Sequence, residues 1–273
     1  MTGAELAAAL HSDRRVFGTL IVSESPRWPE TVAKIGLDFV FIDTEHIALD
    51  RSTVSWMCQT YRGMGLPPIV RITAPDPYQA CTVLDGGACG VVAPYVETVE
   101  QVEALRGAVK FRPLKGRKLG DILSGASPAE PELAKYLATA NANHVLVINV
   151  ESRPALDNLD RLVAVPGLDA VLIGPHDLSC SLGIPEQYDH PKFEAAVREI
   201  FATARKHGIG AGIHSWMGIE REAEWANGPG GANFIIHEAD IIAMRLKLTA
   251  DLAALRKRLG ASAGKSSQAA DSI

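Results

Sequence analysis

Glu151 and Asp177 each stand where a run of apolar, largely β-branched residues gives way to a polar loop. The first run, His144–Val150, leads into Glu151-Ser152-Arg153, and the second, Asp169–Gly174, leads into Pro175-His176-Asp177-Leu178-Ser179. Buried strands that feed helices bring their carboxyl ends to one face of an α/β protein, so both carboxylates can converge on one pocket. Two anionic oxygen ligands in one pocket repel unless a hard divalent cation lies between them, so the pair points to metal-assisted chemistry. Another run ends in Phe41-Ile42-Asp43-Thr44-Glu45-His46, three ionisable groups within four residues. His46 suits a general base because an unperturbed imidazole titrates near neutrality, although a solitary His after a strand is more often structural. Arg71 interrupts the apolar run Ile69-Val70-Arg71-Ile72. A guanidinium there costs desolvation unless it faces an anion, so an oxyanion partner is expected, the alternative being a salt bridge at the other end of the strand. Asp85, before Gly86-Gly87-Ala88, reads on its own as the neighbour of a helix C-cap.

The elements that must position these groups follow a strand-then-helix rhythm. Strands are expected at 15–22, 39–43, 68–72, 90–94, 144–150, 170–173, 210–213 and 233–236. Helical patterns fall at 29–34, 51–62, 77–85, 99–109, 132–140, 153–164, 190–206 and 240–259. Eight short apolar runs with helices between them predict a (β/α)8 TIM barrel spanning residues 1–260 as one domain. A doubly wound open sheet is the rival. It would carry a Gly-rich phosphate turn after its first strand, and Val22-Ser-Glu-Ser-Pro-Arg27 has none, which also argues against a nucleotide cofactor.

Composition narrows the function further. In 273 residues, 47% apolar and 22% charged content is ordinary for a globular protein, and a net charge of -5 supplies no basic stripe for nucleic acid. No apolar run approaches the roughly 20 residues that span a bilayer. The first ten residues read as a short amphipathic helix under the domain rather than a secretory signal. Cys58, Cys81, Cys89 and Cys180 show neither C-x-x-C nor zinc spacing, as expected of unpaired thiols in a cytoplasmic protein. Two segments break the rhythm. The basic stretch Lys110–Gly120, continuing through Ser124–Pro131, is expected to be either a lid or wall at the catalytic face or a solvated surface loop. The tail 261–273 is small and polar and is expected to be disordered.

Together these residues resemble the HpcH/HpaI aldolases, metal-dependent class II pyruvate aldolases that cleave 4-hydroxy-2-oxo acids. The resemblance rests on Asp43-Thr44-Glu45-His46, Val70-Arg71, Leu84-Asp85-Gly86-Gly87-Ala88, Glu151 with Ala155–Leu159, and Ile173-Gly-Pro-His-Asp-Leu-Ser179. It runs from about Phe17 to Arg245. It implies a barrel of the phosphoenolpyruvate/pyruvate type in which Glu151 and Asp177 bind Mg²⁺, Mn²⁺ or Co²⁺. It further implies that Arg71 stabilises the enolate oxygen and that His46, oriented by Asp85, relays the proton of the 4-hydroxyl. Asn149, Pro175, His176 and Asp177 would contact the oxo acid, with the amides of His176 and Asp177 on its carboxylate. No strand-end lysine suggests a Schiff base.

Some positions depart from the family pattern. Asn149 replaces a common Gln, Thr44 a common Gly, and Gly18-Thr19-Leu20 lacks a frequent Trp. His214, His237 and Glu238 stand where apolar residues or Gly are common. These differences fall on the aldehyde side, so the resemblance implies that pyruvate chemistry persists with an unusual acceptor. His214 and the Arg112–Gly120 loop would shape that end; otherwise His214, His237 and Glu238 form a polar cluster that only recognises substrate, or are solvated loop residues. Alternatives are an oxaloacetate decarboxylase or carbon–carbon synthase on the same barrel, or a non-catalytic barrel. A citrate lyase β-type enzyme is disfavoured because acyl-carrier features are not evident. Relatives of this kind form dimer-based hexamers with an exchanged C-terminal helix. Here that helix is 240–259, whose Ile241, Ile242, Met244, Leu246, Leu248, Leu252 and Leu255 form a broad apolar surface.

Overall fold

Eight parallel strands close into a barrel in sequence order: β1 (Val16–Leu20), β2 (Val40–Asp43), β3 (Pro68–Arg71), β4 (Gly90–Ala93), β5 (Val145–Asn149), β6 (Ala170–Ile173), β7 (Gly210–Ser215) and β8 (Phe234–Ala239). The structure is a computed structural model and describes residues 1–261. The strands read as unbroken apolar runs because both of their faces are buried. In β5, Val145 and Val147 point into the barrel, whereas Leu146 and Ile148 pack under the outer helices. Phe39 stacks on Phe234 inside the barrel, their ring centroids 4.9 Å apart. That ring needs Gly18 opposite it, since a methyl group built there would fall well inside 3.0 Å of the Phe39 ring.

The N-terminal helix Gly3–Leu10 closes the amino-terminal end of the barrel. Thr2 and Glu5 form a capping box at its start, and Leu6 and Leu10 are fully buried in the interior cluster. Asp169, also at that end, accepts hydrogen bonds from Lys110 Nζ (2.6 Å) and the Leu146 amide (2.7 Å) and pairs with His11 Nε2 (3.0 Å). With its lower end plugged and cross-linked, the barrel leaves its carboxyl rim for chemistry. The four cysteines are unpaired, and no helix among the described residues is long and apolar enough to cross a membrane.

Several elements differ from the sequence expectation. Strands β7 and β8 run on to Ser215 and Ala239, so His214, His237 and Glu238 are strand residues rather than loop residues. The expected helix 153–164 is two, Arg153–Asp157 and Leu159–Val163, parted at Asn158, whose side-chain amide donates to the Glu97 carbonyl. Gly116–Leu123 is helical. The basic stretch beginning at Lys110 does not border the carboxyl rim. Helix Val99–Lys110 carries the chain back down the barrel, and Lys110 and Arg112 then engage His144, Asp169 and Asp85 at the amino-terminal end. The Arg112–Gly120 loop is therefore no wall of this chain's own site. The expected tail 261–273 lies outside the described residues beyond Ala261.

Candidate active site

Asp43 and Arg71 end neighbouring strands and are direct register partners, so the parallel ladder itself sets carboxylate against guanidinium. The pair is bidentate: Arg71 Nε donates to Asp43 Oδ1 (2.8 Å) and Nη2 to Oδ2 (2.6 Å). Arg71 Nη1 lies 3.1 Å from Glu45 Oε2, and the same oxygen is 3.6 Å from His46 Nε2. Burial opposes the Asp43 charge, yet the Arg71 guanidinium outweighs it and holds the carboxyl below its ordinary range. Burial pushes Glu45 up despite Arg71 and His46 nearby. Two of the five guanidinium N–H groups are thus bonded to Asp43 and Nη1 is ion-paired with Glu45, which leaves N–H groups for a substrate oxygen.

Glu151 is almost fully buried, 2% exposed, at the end of β5. Its Oε1 accepts from the Tyr95 amide (2.7 Å) and its Oε2 from Asn149 Nδ2 (2.8 Å). Burial raises its pKa to about 7, the two hydrogen bonds resist that rise, and the nearby Asp177 charge adds to it. Gly174 makes room for this carboxylate, since a methyl group built there would intrude far inside 3.0 Å of Glu151 Oε2. Asp177, in the first turn of helix Pro175–Ser181, accepts from the Tyr95 hydroxyl at 2.6 Å. Two carboxylates therefore meet around one tyrosine. Among the described residues no three His, Cys, Asp or Glu side chains gather closely enough to hold a metal ion.

The donor chemistry nevertheless fits a hard divalent cation held by two protein carboxylates, with other positions open to water and substrate. Glu151 is pushed toward protonation by burial and by Asp177, and a cation between them would relieve both effects. Asn149 Oδ1, next to Glu151, is buried without a hydrogen-bond partner.

The remaining expected site residues are placed unevenly. Asn149 is 1% exposed, on the same inward face of β5 as Val145 and Val147, and donates to Glu151. Pro175 is buried at the helix start, while the His176 side chain is exposed beside Glu186 (3.7 Å) and Cys180 (3.8 Å). His46 is exposed at the same rim as Arg71. Asp85 is not brought to His46 within the chain. It closes helix Pro77–Asp85 at the opposite end of the barrel and pairs there with Arg112, so Glu45 is the carboxylate beside His46. His214, on β7, pairs in register with Ile236, bonds the Glu238 carbonyl (3.1 Å) and lies edge-on to Phe41 and Trp216, 5.8 and 5.7 Å between ring centroids. Burial keeps that imidazole neutral, lowering its pKa to about 4. His237 pairs with Glu222 at 2.8 Å and is not a free base. Sequence pattern does not single out Tyr95, because a tyrosine after Pro94 has no spacing signature. Its place at a strand end, like that of Glu151, was the available signal.

Comparison with known proteins agrees with this geometry. The model of the HpcH/HpaI aldolase/citrate lyase family matches residues 17–229. The chain is 32% identical over 237 residues to the hydroxypyruvate/pyruvate aldolase of Roseovarius nubinhibens, covering 86% of this chain and 90% of that one. It is 29% identical over 240 residues to the 5-keto-4-deoxy-D-glucarate aldolase of Salmonella paratyphi A, covering 87% and 91%. Its fold is similar to the crystal structure of the citrate synthase SbnG, with a TM-score of 0.79, 28% identity, and coverage of 93% of this chain and 98% of that one.

Proposed function

The chain belongs to the HpcH/HpaI aldolase/citrate lyase family, and on that footing we infer that it is a carbon–carbon lyase of the aldolase kind, joining and cleaving pyruvate and an aldehyde through 4-hydroxy-2-oxo acids. The observation that carries the reading is the convergence of Glu151 and Asp177 on one rim of the barrel, both bonded by Tyr95. These two carboxylates would hold Mg²⁺, Mn²⁺ or Co²⁺. When bound, the cation supplies Lewis-acid polarisation of the 2-oxo group and helps bear enolate charge.

The protein's own groups do the rest. Arg71, locked in place by Asp43 and Glu45, presents its uncommitted N–H groups to the oxygen that gains charge as the C3–C4 bond breaks. Because the fork is fixed before substrate arrives, little reorganisation is needed at the moment of reaction. His46, beside Glu45, takes the proton of the 4-hydroxyl as the aldehyde forms and returns it during addition. The amides of His176 and Asp177 suit the substrate carboxylate. The neutral His214 with Phe41 and Trp216 would form the wall against which the aldehyde chain packs.

Assembly belongs to the same proposal. Helix Asp240–Leu259 has no buried residue and exposes Ile241, Met244, Leu246, Leu248, Leu252 and Leu255. Asp240 pins only its start, accepting from the Val22 and Ser23 amides at 3.1 Å each. The outer faces of β1 and β8, which a barrel's last helix ordinarily covers, border an apolar cavity of about 740 Å³ beside a half-exposed Phe17. The same helix of a second copy fits that groove, giving a dimer-based oligomer. We place the enzyme in the cytoplasm, where four unpaired thiols suit a reducing milieu.

The test is to supply pyruvate and Mn²⁺ or Mg²⁺ with a panel of aldehydes and to identify products by mass. Adducts that require the metal support the reading, whereas turnover in chelator or borohydride trapping of pyruvate on a lysine overturns it. The likeness to a citrate synthase favours a second reading, carbon–carbon bond formation onto an oxo acid such as oxaloacetate, which the same product analysis separates. Light scattering tests the assembly, and a monomer refutes it.

A further inference from the structure

We propose that Tyr95 is a positioning residue for the cation: by holding Oε1 of Glu151 and Oδ1 of Asp177 together, it sets the affinity of the pair for metal. The proposal rests on the metal reading above.

Tyr95 bonds both carboxylates, one through its main-chain N–H (2.7 Å) and one through its phenol (2.6 Å). It does so from a left-handed backbone conformation, φ 49°, which a bulky residue rarely adopts. Pro94 and Val96 on either side are buried while Tyr95 itself is 45% exposed. The loop is stitched down beyond it. Ser152 Oγ donates to Glu97 Oε1 (2.6 Å), Asn158 Nδ2 to the Glu97 carbonyl (3.0 Å), and the Glu97 amide to Gln101 Oε1 (2.8 Å). A strained residue over-determined by its surroundings in this way marks a functional constraint. The tie also spans elements distant in the chain, since Glu151 follows β5 and Asp177 follows β6. Among the described residues, the Tyr95 hydroxyl is the hydrogen-bond donor to the half-exposed Asp177 carboxylate, so it sets that side chain's rotamer. With Oε1 and Oδ1 engaged by Tyr95 and Oε2 by Asn149, the two carboxylates would be held in place before a cation binds. Partners of this kind typically change metal affinity by about 10–100-fold.

The decisive variant is Tyr95→Phe, which removes one hydroxyl and keeps the ring and the amide. Mn²⁺ is titrated into metal-free protein and free Mn²⁺ is followed by electron paramagnetic resonance, with wild type and Glu151→Gln alongside. Tyr95→Phe is expected to bind Mn²⁺ about tenfold more weakly, with the thermal midpoint of the metal-free protein unchanged. Wild-type affinity in Tyr95→Phe, while Glu151→Gln binds poorly, overturns the role of Tyr95 and leaves the metal reading standing. Equal binding by wild type and Glu151→Gln overturns both. A lower thermal midpoint with unchanged affinity assigns Tyr95 to loop stability instead and equally overturns the proposal.

Discussion

Gly174→Ala is the most incisive perturbation of the site, because it removes no ligand, charge or hydrogen bond. Gly174 has φ -85° and ψ 100°, a conformation any residue adopts, so alanine brings no backbone strain. The new methyl would nonetheless fall short of the 3.0 Å floor for Cβ contacts by nearly an ångström, and the atom in its way is Glu151 Oε2. The carboxylate must retreat by that amount against two hydrogen bonds, from Tyr95 and Asn149, that hold it where it is. A misplacement of about 1 Å in a catalytic constellation can cost on the order of 10²-fold in rate, or roughly 2.7 kcal/mol. Calorimetric titration with Mn²⁺ should accordingly show affinity weakened by about tenfold or more, and aldol turnover should fall by about two orders of magnitude. Wild-type metal affinity and turnover in a folded Gly174→Ala protein would refute the placement of Glu151 at the metal.

Other perturbations separate the remaining groups. Arg71→Ala should lose on the order of 3–4 kcal/mol of transition-state stabilisation. It should also lose roughly 3–5 kcal/mol of stability, because Asp43, 1% exposed, is left without its partner. In denaturant titrations, adding Asp43→Ala should restore much of the stability but none of the rate. His46→Ala should slow aldol cleavage by about 10²–10⁴-fold while sparing oxaloacetate decarboxylation, which has no hydroxyl proton to remove; equal losses would remove His46 as the base. His214 has a folded pKa of about 4 against an ordinary 6.5. The unfolded chain therefore binds more protons between those values, and stability falls as pH drops through that window. Replacing His214 by Leu should flatten that acid limb in pH-dependent unfolding and shift preference toward apolar aldehydes, with metal affinity unchanged.

The barrel was legible because strands buried on both faces cannot hide their apolar runs, and eight of them alternate with helices. The carboxylates were legible for the same reason: each breaks such a run at its end. What could not be read was which rim a segment reaches. Lys110–Gly120 follows β4 in sequence, but the helix Val99–Lys110 returns it to the opposite end, and Asp85 is drawn there beside Arg112. Nor does the sequence show that Glu45, rather than Asp85, neighbours His46 within the chain, or that Asn149 bonds Glu151. Side-chain direction at a strand end depends on register, as the Asp43–Arg71 pairing shows, and register is fixed only by closing the barrel. Tyr95 is not legible in the sequence because its contacts depend on a left-handed backbone turn that no neighbouring glycine announces.

The central claim is that Glu151 and Asp177 hold a cation with which Arg71 stabilises a pyruvate enolate, and it can be tested without knowing the aldehyde. Pyruvate is incubated with the enzyme in D₂O and loss of the methyl proton signal is followed by nuclear magnetic resonance, with added Mg²⁺ and again with the metal stripped by chelator. Exchange is expected in the metal-loaded wild type, and its loss is expected in chelator, in Glu151→Gln and in Arg71→Ala. Undiminished exchange in the metal-free enzyme or in Glu151→Gln, or none in the loaded wild type, would contradict the claim.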